Sequence, residues 1–487
     1  MSETFLPGKK HACANLGDVA ILGLGKSGTV AARYCAKLIG TRVHSLTVYG
    51  GSGNDAAREL AAEFEALGAR VVFDTEQIEG AYDLAIVSPG ISEFSEFYLN
   101  AKAASVELIG EVEFAWRESD ADSHWLAITG TNGKTTTTAL TAHLLRCCGI
   151  NAQAVGNIGD TCLEAVAVGT TNTYVAECSS YQLASTCDFA PDVAVLLNIT
   201  PDHVTWHHGY QNYIEAKFKV LKNLARTKGT AVLDATNDVV REKVVQLRKM
   251  QPEERGYSYI PMGAQPGITC DMRSRCKSEN AAFLSEDGML VVAFADKEYA
   301  LCRADELLIP GEHNIGNALA AASAALAQGA SPEGVSEGLK TFASLEHRIE
   351  ACGTVDGVEY YNDSKATNVD ATLKALAAFN PRKPIVLLGG RDKGTDLADL
   401  VSVAQDNCKA VICYGEGGPR FFDAFKESSL QSFAAEGMRA AFDLAEQLAE
   451  PGDIVLLSPA CASFDEFSCF EERGDTFKRY VSELSKR

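Results

Sequence analysis

The chain of 487 residues lacks several features that would assign it to a specialised class. It has 15 cysteines but no Cys-x-x-Cys spacing, and several cysteines lie within apolar runs. This pattern argues against a disulfide framework or a zinc site, so we expect free thiols in a reducing compartment. No run of 18 apolar residues occurs, and residues 1–18 contain no apolar signal core. We therefore expect a cytoplasmic protein without membrane insertion.

Basic side chains are scarce relative to acidic ones. There are 44 Lys and Arg against 65 Asp and Glu, which gives a formal net charge of −21. Such a chain repels nucleic acids and anionic membranes, so neither is expected as a partner. Small anions can still bind locally at helix N-termini and at clusters of Lys or Arg. The apolar content of 46% is that of a globular protein, and the length predicts about three domains.

Three times, a run of β-branched residues and leucines passes through a glycine turn into a helical pattern, at 19–28, 125–137 and 385–394. Strands of continuous apolar content that alternate with helices indicate parallel sheets covered on both faces. We predict an α/β fold with three domains, spanning 1–112, 113–345 and 346–487.

Further elements fit this scheme. The polar, proline-containing stretch 227–308 is predicted to be a β-rich elaboration of the middle domain, followed by an alanine-rich helix over 315–328. Additional short strands are expected at 45–49, 84–87, 174–177, 193–198 and 454–457.

The most informative segment is a glycine turn between a predicted strand and a predicted helix: Gly130, Thr131, Asn132, Gly133, Lys134, Thr135 and Thr136. Unpaired backbone N–H groups and the positive end of the helix dipole meet there, which predicts a polyphosphate site. Lys134 would contact the terminal phosphates and Thr135 would contact Mg²⁺. The alternative is a helix-capping turn without a ligand. One glycine of the usual P-loop is missing, because Ile128 stands five residues before Gly133, so the motif alone does not settle the function.

A second glycine motif, Gly23-x-Gly25-x-x-Gly28, follows a strand and matches the dinucleotide fingerprint. That fingerprint also needs an acidic residue about twenty positions on, at the end of the next strand. Here the predicted strand 45–49 runs into glycines and a serine without one. NAD is therefore disfavoured, whereas the phosphates of another nucleotide, including a nucleotide-linked substrate, remain suited to the turn.

Polar residues follow two further predicted strands of the middle domain. Glu177 ends one strand, and Asp202 and His203 follow another, so we expect metal ligands at one edge of the sheet. The next pair, His207 and His208, is expected in a solvated loop.

Local sequence gives two other residues only ordinary roles. Lys217 is predicted to be an exposed helical lysine, and Asn157 a turn residue between glycines. In the last third, residues 362–368 form either a helix cap or a ligand clamp, and 458–465 form an anion site at a helix N-terminus. Cys461 has no histidine nearby in sequence, which disfavours a nucleophile.

Taken together, these segments resemble the Mur ligase family, the ATP-dependent amide ligases that build the peptide of peptidoglycan. The resemblance covers nearly the whole chain, in the order GLGKSG, SPGIS, GTNGKTT, GNIG, ECSSYQL, NITPDH, GEHNIGNALAA, EHRIE, NDSKATN, LLGGRDKG and SPACASFDEF. The last four motifs are similar to those of the branch that joins D-glutamate to UDP-N-acetylmuramoyl-L-alanine. A related ligase that adds a different amino acid is the alternative. A regulatory module without ligation and an NAD dehydrogenase are the alternatives from other classes.

The resemblance implies a Rossmann-like N-terminal domain for the UDP substrate, a central P-loop ATPase and a Rossmann-like C-terminal domain for the amino acid. It implies ATP contacts from residues 130–136 together with Asn314, Asn317 and Arg348. Catalytic roles would fall to Lys134, Asn157, His203, Lys217, Asp363 and Lys365. It further implies a monomer acting in cytoplasmic peptidoglycan synthesis, and thereby in cell shape and division.

The same resemblance distributes the other ligands over the chain. Two Mg²⁺ sites would be formed by Thr135, Glu177, His203 and Lys217, the last as a carbamate. The UDP substrate would contact Gly25, Ser27, Ser88, Pro89, Gly90, Asn157, Ser179 and Gln182. D-glutamate would contact Thr367, Lys393, Ser463 and Phe470.

Two departures from the family pattern stand out. The family usually continues Asp-His-Leu-Asp-Arg-His, but Thr205 and Trp206 occupy the acidic and arginine positions here. His203 is retained, whereas the local salt bridges are not expected. The stretch after the second strand also lacks Asp-x-Arg, so the uridine contacts must come from the backbone or from other side chains.

Overall fold

The computed structural model describes residues 4–53, 55–263, 273, 276–309, 311, 313–343, 346–392 and 394–486. The chain divides into two compact units, one of Met1–Glu306 with Ile315–Thr341 and one of Leu307–Asn314 with Phe342–Arg487. The first unit contains two sheets and the second contains one. The predicted α/β class with mainly parallel sheets is confirmed, whereas the boundaries near residues 112 and 345 stay a prediction.

The first sheet has five parallel strands in the order β3-β2-β1-β4-β5, the arrangement of a Rossmann-like half. Its strands are β1 Gly17–Leu22, β2 Val43–Tyr49, β3 Arg70–Val72, β4 Tyr82–Val87 and β5 Ser105–Gly110. The accompanying helices are α1 Lys26–Ala36, α2 Asp55–Ala66, α3 Glu96–Ala104 and α4 Glu111–Glu118.

The second sheet has nine strands in the order β14-β13-β12-β11-β10-β9-β6-β8-β7. Its strands are β6 His124–Thr129, β7 Ala152–Gly156, β8 Thr173–Glu177, β9 Val193–Leu196, β10 Thr230–Asp234, β11 Ser258–Gly263, β12 Ala281–Leu284, β13 Met289–Phe294 and β14 Lys297–Arg303. The antiparallel pairings, β12 with β13 and β13 with β14, lie at one edge, and the other described pairings of this sheet are parallel. The predicted β-rich elaboration is thus confirmed, and it extends the central sheet.

The helices of this region are α5 Lys134–Cys147, α6 Cys162–Val168, α7 Ser180–Ala184, α8 Tyr210–Phe218, α9 Asp238–Leu247, α10 Pro252–Arg255, α11 His313–Ala327 and α12 Pro332–Thr341. The helix α11 matches the alanine-rich helix expected from the sequence.

The sheet of the second unit has six strands in the order β15-β16-β20-β17-β18-β19, all parallel except the first pair. Its strands are β15 Glu350–Val355, β16 Val358–Asn362, β17 Ile385–Gly389, β18 Ala410–Tyr414, β19 Gln431–Ala434 and β20 Ile454–Ala460. Its helices are α13 Val369–Ala378, α14 Ala398–Asn407, α15 Gly418–Phe425, α16 Met438–Leu448 and α17 Phe470–Leu484.

The apolar strands are buried on both faces, as their continuous hydrophobic runs predict. In β1, Val19 and Ile21 face one core, whereas Ala20 and Leu22 face another. The first of these cores continues into the central sheet through Trp125 of β6. Among the helices that the structure describes, none is both long and apolar enough to cross a membrane.

Close backbone packing fixes the first glycine turn. A Cβ atom at Gly28 would lie 1.8 Å from the Gly23 carbonyl oxygen, so α1 approaches β1 only because residue 28 has no side chain. By contrast, a Cβ atom at Gly25 would meet nothing within 4 Å. The two glycines of the same motif therefore have different structural requirements.

We expect Gly28→Ala to lower the free energy of unfolding by about 1–3 kcal/mol, because α1 must move away from the strand. Gly25→Ala is the matched control and should leave stability nearly unchanged, since its φ of −69° suits any residue. Thermal unfolding followed by circular dichroism measures both. Equal midpoints for the two variants would contradict the packing argument.

Candidate active site

Two glycines shape the loop between β6 and α5. Gly130 has φ +157° and Gly133 has φ +81°, both of which disfavour a side chain. A Cβ atom at Gly130 would lie 2.9 Å from Cβ of Leu197, and one at Gly133 would lie 2.3 Å from Oδ1 of Asn317. The loop is thus pressed against β9 and α11, and α5 begins directly at Lys134.

The missing P-loop glycine has a simple structural explanation. Ile128 is fully buried within β6, where it pairs with Glu177 of β8 and Val195 of β9. The strand therefore continues to Thr129, and the turn that follows is short. A glycine at position 128 would serve no purpose in this arrangement.

Hydrogen bonds hold the loop to the end of β9. The Asn132 N–H donates to Oδ1 of Asn198 at 2.8 Å, and the Thr131 N–H donates to the Asn198 carbonyl at 2.7 Å. Oγ1 of Thr131 lies 2.8 Å from the Tyr213 hydroxyl. The Lys134 ammonium donates to the carbonyls of Gly130 and Thr131 at 3.0 and 2.9 Å. The lysine is therefore folded over its own loop, where a phosphate group would meet it.

Glu177 lies at the adjacent strand end, as predicted. Its side chain is buried, and its Oε1 accepts a hydrogen bond from Nδ2 of Asn157 at 3.0 Å. Its Oε2 is buried without a hydrogen-bond partner among the described residues. An unpartnered buried carboxylate oxygen is costly unless a cation binds there, so this atom fits a metal ligand.

Asn157 owes its position to the turn after β7. Gly156 has φ +89°, and a Cβ atom there would lie 2.6 Å from the Glu177 carbonyl oxygen. The Asn157 N–H also donates to that carbonyl at 3.0 Å. The glycine turn therefore places the amide of Asn157 against both the main chain and the side chain of Glu177.

The prediction of an exposed Lys217 is wrong. Lys217 is 1% exposed, and its ammonium donates to the Gly130 carbonyl at 2.7 Å. The helix α8 packs with this face toward β6, which local sequence does not reveal. Burial, reinforced by nearby Lys134, lowers the pKa of Lys217 well below its usual range. A buried amine that favours its neutral form thus faces the phosphate loop.

His203 lies in the same neighbourhood. It adopts φ +51°, a conformation uncommon for a residue with a side chain, and its Nε2 lies 3.4 Å from Asp202 Oδ2. Burial lowers the pKa of His203, against the effect of Asp202, and Lys134 and Lys217 act in the same direction as burial. The imidazole is half exposed and can reach a ligand beside the phosphate loop.

The expectation that His207 and His208 form a solvated loop is wrong for His207. Its side chain is fully buried, and its Nε2 lies 2.9 Å from Oγ of Ser180. Burial, together with His203 and Lys217, lowers the pKa of His207 to about 4. His208 is exposed as expected, but its ring stacks on Phe94 with centroids 4.8 Å apart.

Ser179 and Gln182 form a capping box at the start of α7. Oγ of Ser179 accepts from the Gln182 N–H at 3.1 Å, and Oε1 of Gln182 accepts from the Ser179 N–H at 2.8 Å. These two side chains therefore fix the short helix that follows Glu177. Tyr181 lies between them and contacts the His203 ring, a position that sequence reasoning missed.

The loops of the first sheet bring most of the predicted UDP-contact residues together. Oγ of Ser88 donates to the Gly23 carbonyl at 3.1 Å, so the 88–90 turn lies against the glycine turn that carries Gly25 and Ser27. Lys26 donates to the Gly159 carbonyl at 2.5 Å, which connects this turn to the one carrying Asn157. Pro89 is partly exposed and Gly90 exposed, as a binding surface requires.

An acidic side chain from another part of the chain lies beside the turn after β2. Oδ1 of Asp74, which follows β3, accepts from the Gly53 N–H at 3.2 Å, and Arg58 donates to the Gly53 carbonyl at 2.8 Å. Both side chains thus reach the edge where uridine contacts were expected. Sequence reasoning missed Asp74 because it looked for an acidic residue directly after β2, whereas Asp74 follows β3.

In the second unit, Asp363 is buried at the end of β16. Its Oδ2 accepts from the Ser458 hydroxyl at 2.7 Å, and its Oδ1 accepts from the Ile349 N–H at 3.3 Å. Burial raises the pKa of Asp363 to about 7, although Ser458 and nearby Arg348 oppose this effect. Ser458, which lies within β20, thus binds a carboxyl group of its own chain. The expected helix N-terminus at residues 458–465 is wrong, because β20 continues to Ala460 and α17 begins only at Phe470.

Arg473, missed from the sequence, joins the loops that follow β16 and β20. Its Nε donates to Oγ of Ser364 at 2.9 Å, and its Nη2 donates to the carbonyls of Ser364 and Cys461 at 2.9 and 3.0 Å. Ser364 in turn donates to the Phe470 carbonyl at 2.7 Å. The buried guanidinium therefore sets the spacing of these two loops.

Most of the predicted amino-acid residues lie along these loops. The Lys365 ammonium lies 5.3 Å from the centroid of the Phe470 ring, the Thr367 N–H donates to the Lys365 carbonyl at 2.9 Å, and Ser463 is buried. Lys393 falls outside the described residues. Cys461 is fully buried, and burial raises the pKa of its thiol to about 12, which agrees with the rejection of a nucleophile.

The remaining predicted ATP residues are placed as follows. Asn317 accepts from Oγ1 of Thr137 at 3.3 Å and lies beside Gly133, so it adjoins the phosphate loop. Asn314 is buried in the first turn of α11, where its N–H donates to the Gly311 carbonyl at 3.0 Å. Arg348 is partly buried and close enough to Asp363 to influence that carboxyl group.

Comparison with known proteins identifies the family of the chain. The Mur ligase middle domain matches residues 128–325, and the Mur ligase glutamate ligase domain matches 347–461. A UDP-N-acetylmuramoylalanine--D-glutamate ligase from Thermoanaerobacter pseudethanolicus is 34% identical, covering 96% of this chain and 98% of the relative. One of the same name from Alkaliphilus metalliredigens is 37% identical, covering 84% and 85%.

Solved structures share the fold at lower identity. A UDP-N-acetylmuramate-alanine ligase from Thermotoga maritima has a TM-score of 0.53 at 16% identity, covering 96% of this chain and 99% of that one. A UDP-N-acetylmuramoylalanyl-D-glutamyl-2,6-diaminopimelate--D-alanyl-D-alanyl ligase from Acinetobacter baumannii has a TM-score of 0.57 at 16% identity, covering 96% and 93%. From its matches to both family domains and to full-length relatives above 30% identity, the chain belongs to the Mur ligase family.

Proposed function

We propose that this protein is an ATP-dependent ligase that adds D-glutamate to the alanine carboxyl group of UDP-N-acetylmuramoyl-L-alanine. Full-length relatives that carry the corresponding name support the choice of substrates. The observation that carries the proposal is the convergence of two buried ionisable groups, Lys217 and Glu177, on the Gly130–Lys134 loop, because such groups are costly to bury and are typical of functional sites.

The chemistry begins with activation of a carboxylate. A carboxylate does not react with an amine near neutral pH, so transfer of the γ-phosphoryl group of ATP first converts it to an acyl phosphate. Lys134 and the N–H groups at the start of α5 bind the phosphates and stabilise the charge that spreads over them. The amine of D-glutamate then attacks the carbonyl carbon, and phosphate leaves.

The residues around the loop fit a divalent cation. Glu177 offers a buried carboxylate oxygen without a hydrogen-bond partner among the described residues, and Thr135 and His203 would be the further ligands. When bound, Mg²⁺ supplies charge neutralisation for the phosphates. Because only an unprotonated amine adds carbon dioxide, the lowered pKa of Lys217 favours a carbamate, which would turn a buried neutral amine into an anionic ligand.

The other ligands are assigned to the loops already described. The UDP end of the substrate lies at Gly25, Ser27 and the 88–90 turn, and Asn157 faces the muramoyl-alanine portion. Thr367, Lys393, Ser463 and Phe470 hold D-glutamate, while Asp363, Lys365, Asn314, Asn317 and Arg348 serve ATP. One chain supplies every role, so we propose a monomer. ATP and UDP-linked sugars are cytoplasmic metabolites, which places the reaction in the cytoplasm.

Release of phosphate should require all three substrates together with Mg²⁺. We expect activity with D-glutamate and less than about one hundredth of it with L-glutamate, D-aspartate or a diamino acid, since the opposite configuration, the shorter side chain or the side-chain amine each leaves polar groups of the site unpaired. A coupled phosphate assay with this amino-acid panel measures the preference. Higher activity with another amino acid would establish the related-ligase alternative.

Glu177→Gln should weaken binding of the divalent cation about tenfold or more, because the amide retains the contact with Asn157 but removes the anionic ligand. Titration with Mn²⁺, followed by electron paramagnetic resonance, measures binding without turnover. Glu164→Gln makes the same change at an exposed position and serves as the control. Unchanged Mn²⁺ affinity in Glu177→Gln would remove this residue from the metal site.

Asp363 should make stability depend on pH. Its folded pKa of about 7 lies above the ordinary value of 3.8, so the folded state retains a proton that the unfolded chain has lost. Stability therefore falls as pH rises between these two values. We expect Asp363→Asn to raise the midpoint of thermal unfolding at pH 8 but hardly at pH 4, and to reduce phosphate release.

The exposed substitution Asp406→Asn, also in the second unit, is the control and should show the wild-type pH dependence. If Asp363→Asn and Asp406→Asn gave the same difference from wild type at both pH values, the buried carboxyl group would not be the cause.

A further inference from the structure

Trp206 connects two loops of the first unit that lie far apart in sequence. Oγ of Ser92 donates to the Trp206 carbonyl at 2.8 Å, and the Trp206 indole N–H donates to the Gly90 carbonyl at 3.3 Å. The stacking of His208 on Phe94 reinforces the same connection. The turn after β4 is thereby attached to the loop after β9.

The indole of Trp206 also contacts His203 indirectly, through the ring of Tyr181. The Trp206 and Tyr181 rings lie 4.3 Å apart between centroids and are inclined by 31°, and the Tyr181 ring lies 4.8 Å from that of His203. The indole thus makes contact in one direction with the turn at Gly90 and in the other with the ring packed against His203.

Main-chain hydrogen bonds within residues 203–209 also hold Trp206 and His203 in a fixed arrangement. The His207 N–H donates to the His203 carbonyl at 3.2 Å, and the Gly209 N–H donates to the Val204 carbonyl at 2.9 Å, so residues 203–209 form a tight turn. Within the described part of the chain, no salt bridge involves residues 204–209. The rings and the two hydrogen bonds of Trp206 therefore take the place of the ion pairs that the acidic and arginine residues of the family pattern would form, which were not expected in this chain.

We propose that Trp206 is a positioning residue that fixes His203 relative to the turn at Ser88–Ser92. The inference rests on the proposed function, in which this turn holds the UDP end of the substrate and His203 holds the divalent cation. Trp206 acts through Tyr181 and the loop backbone and takes no part in the reaction itself. Its importance follows from geometry, because a displacement of about 1 Å between reacting groups reduces rates about a hundredfold.

Two substitutions remove the connection by different means. Trp206→Phe retains an aromatic ring beside Tyr181 but removes the donor to Gly90, and Ser92→Ala removes the donor to the Trp206 carbonyl. Each should raise both the KM for UDP-N-acetylmuramoyl-L-alanine and the half-saturating Mg²⁺ concentration about five- to tenfold, the usual effect of one lost hydrogen bond. The KM for D-glutamate, which binds to residues of the second unit, should stay within about twofold.

The chain offers a matched control for each substitution. Trp116→Phe also removes an indole N–H, but that group is buried without a hydrogen-bond partner in the described structure. Ser336→Ala removes a serine donor to the Leu301 carbonyl of β14 at 2.6 Å, away from the turn at Ser88–Ser92, and should lower thermal stability without the kinetic change. Equal increases in the KM of all three substrates, or none, in Trp206→Phe and Ser92→Ala would overturn the proposal.

A binding measurement separates this proposal from the proposed function. Trp206 is partly exposed, whereas Trp116 and Trp125 are buried, so its emission should change when UDP alone is titrated. Wild type, Trp116→Phe and Ser336→Ala should respond, and Ser92→Ala should lose most of the response although it keeps Trp206. A normal response in Ser92→Ala would overturn the connection. Absence of phosphate release in wild type would instead overturn the proposed function, while the UDP titration would still decide the role of Trp206.

Discussion

The register of β6 against β8 and β9 is the constraint on which the candidate active site of the first unit depends. Ile128 pairs with Glu177, and Thr129 pairs with Leu196, so all three strands end at the same level. Parallel strands direct their carboxyl ends to one edge, where the following loops meet. A shift of one residue in the pairing of β8 with β6 would turn Glu177 away from the phosphate loop, since side chains alternate between the two faces of a sheet.

Buried ionisable groups are the cost of this arrangement. Lys217, Glu177 and Asp363 are each less than a tenth exposed, and each would be more stable in water than in an apolar interior. Burial lowers the pKa of Lys217 and raises the pKa of Asp363, so that both groups favour their neutral forms. Oε2 of Glu177, by contrast, has no hydrogen-bond partner among the described residues. A protein selected only for stability would replace such groups with apolar ones, so their presence indicates that ligands complete the site.

The sequence predicted those parts of the fold and site that depend on local patterns. Apolar runs followed by glycines located the strands, and the ends of these strands located Lys134, Glu177 and His203. The positions of Lys217 and His207 could not be predicted in this way, because burial of a helix or loop side chain is decided by distant elements that pack on it. The role of Arg473 could not be predicted for the same reason, because its partners Ser364 and Cys461 belong to loops that are remote in sequence.

The loop after His203 shows that one geometric requirement can be met by different chemistry. A histidine with φ +51° must be held by its surroundings, since this conformation is unfavourable for a residue with a side chain. Ion pairs could hold it, but partly exposed ion pairs contribute little and are weakened by salt. Here the indole of Trp206 packs on Tyr181 and donates to Gly90, which combines apolar burial with a directed hydrogen bond. Because aromatic packing is insensitive to ionic strength, the position of His203 should depend less on salt than it would with an ion pair, even in a chain with a net charge of −21.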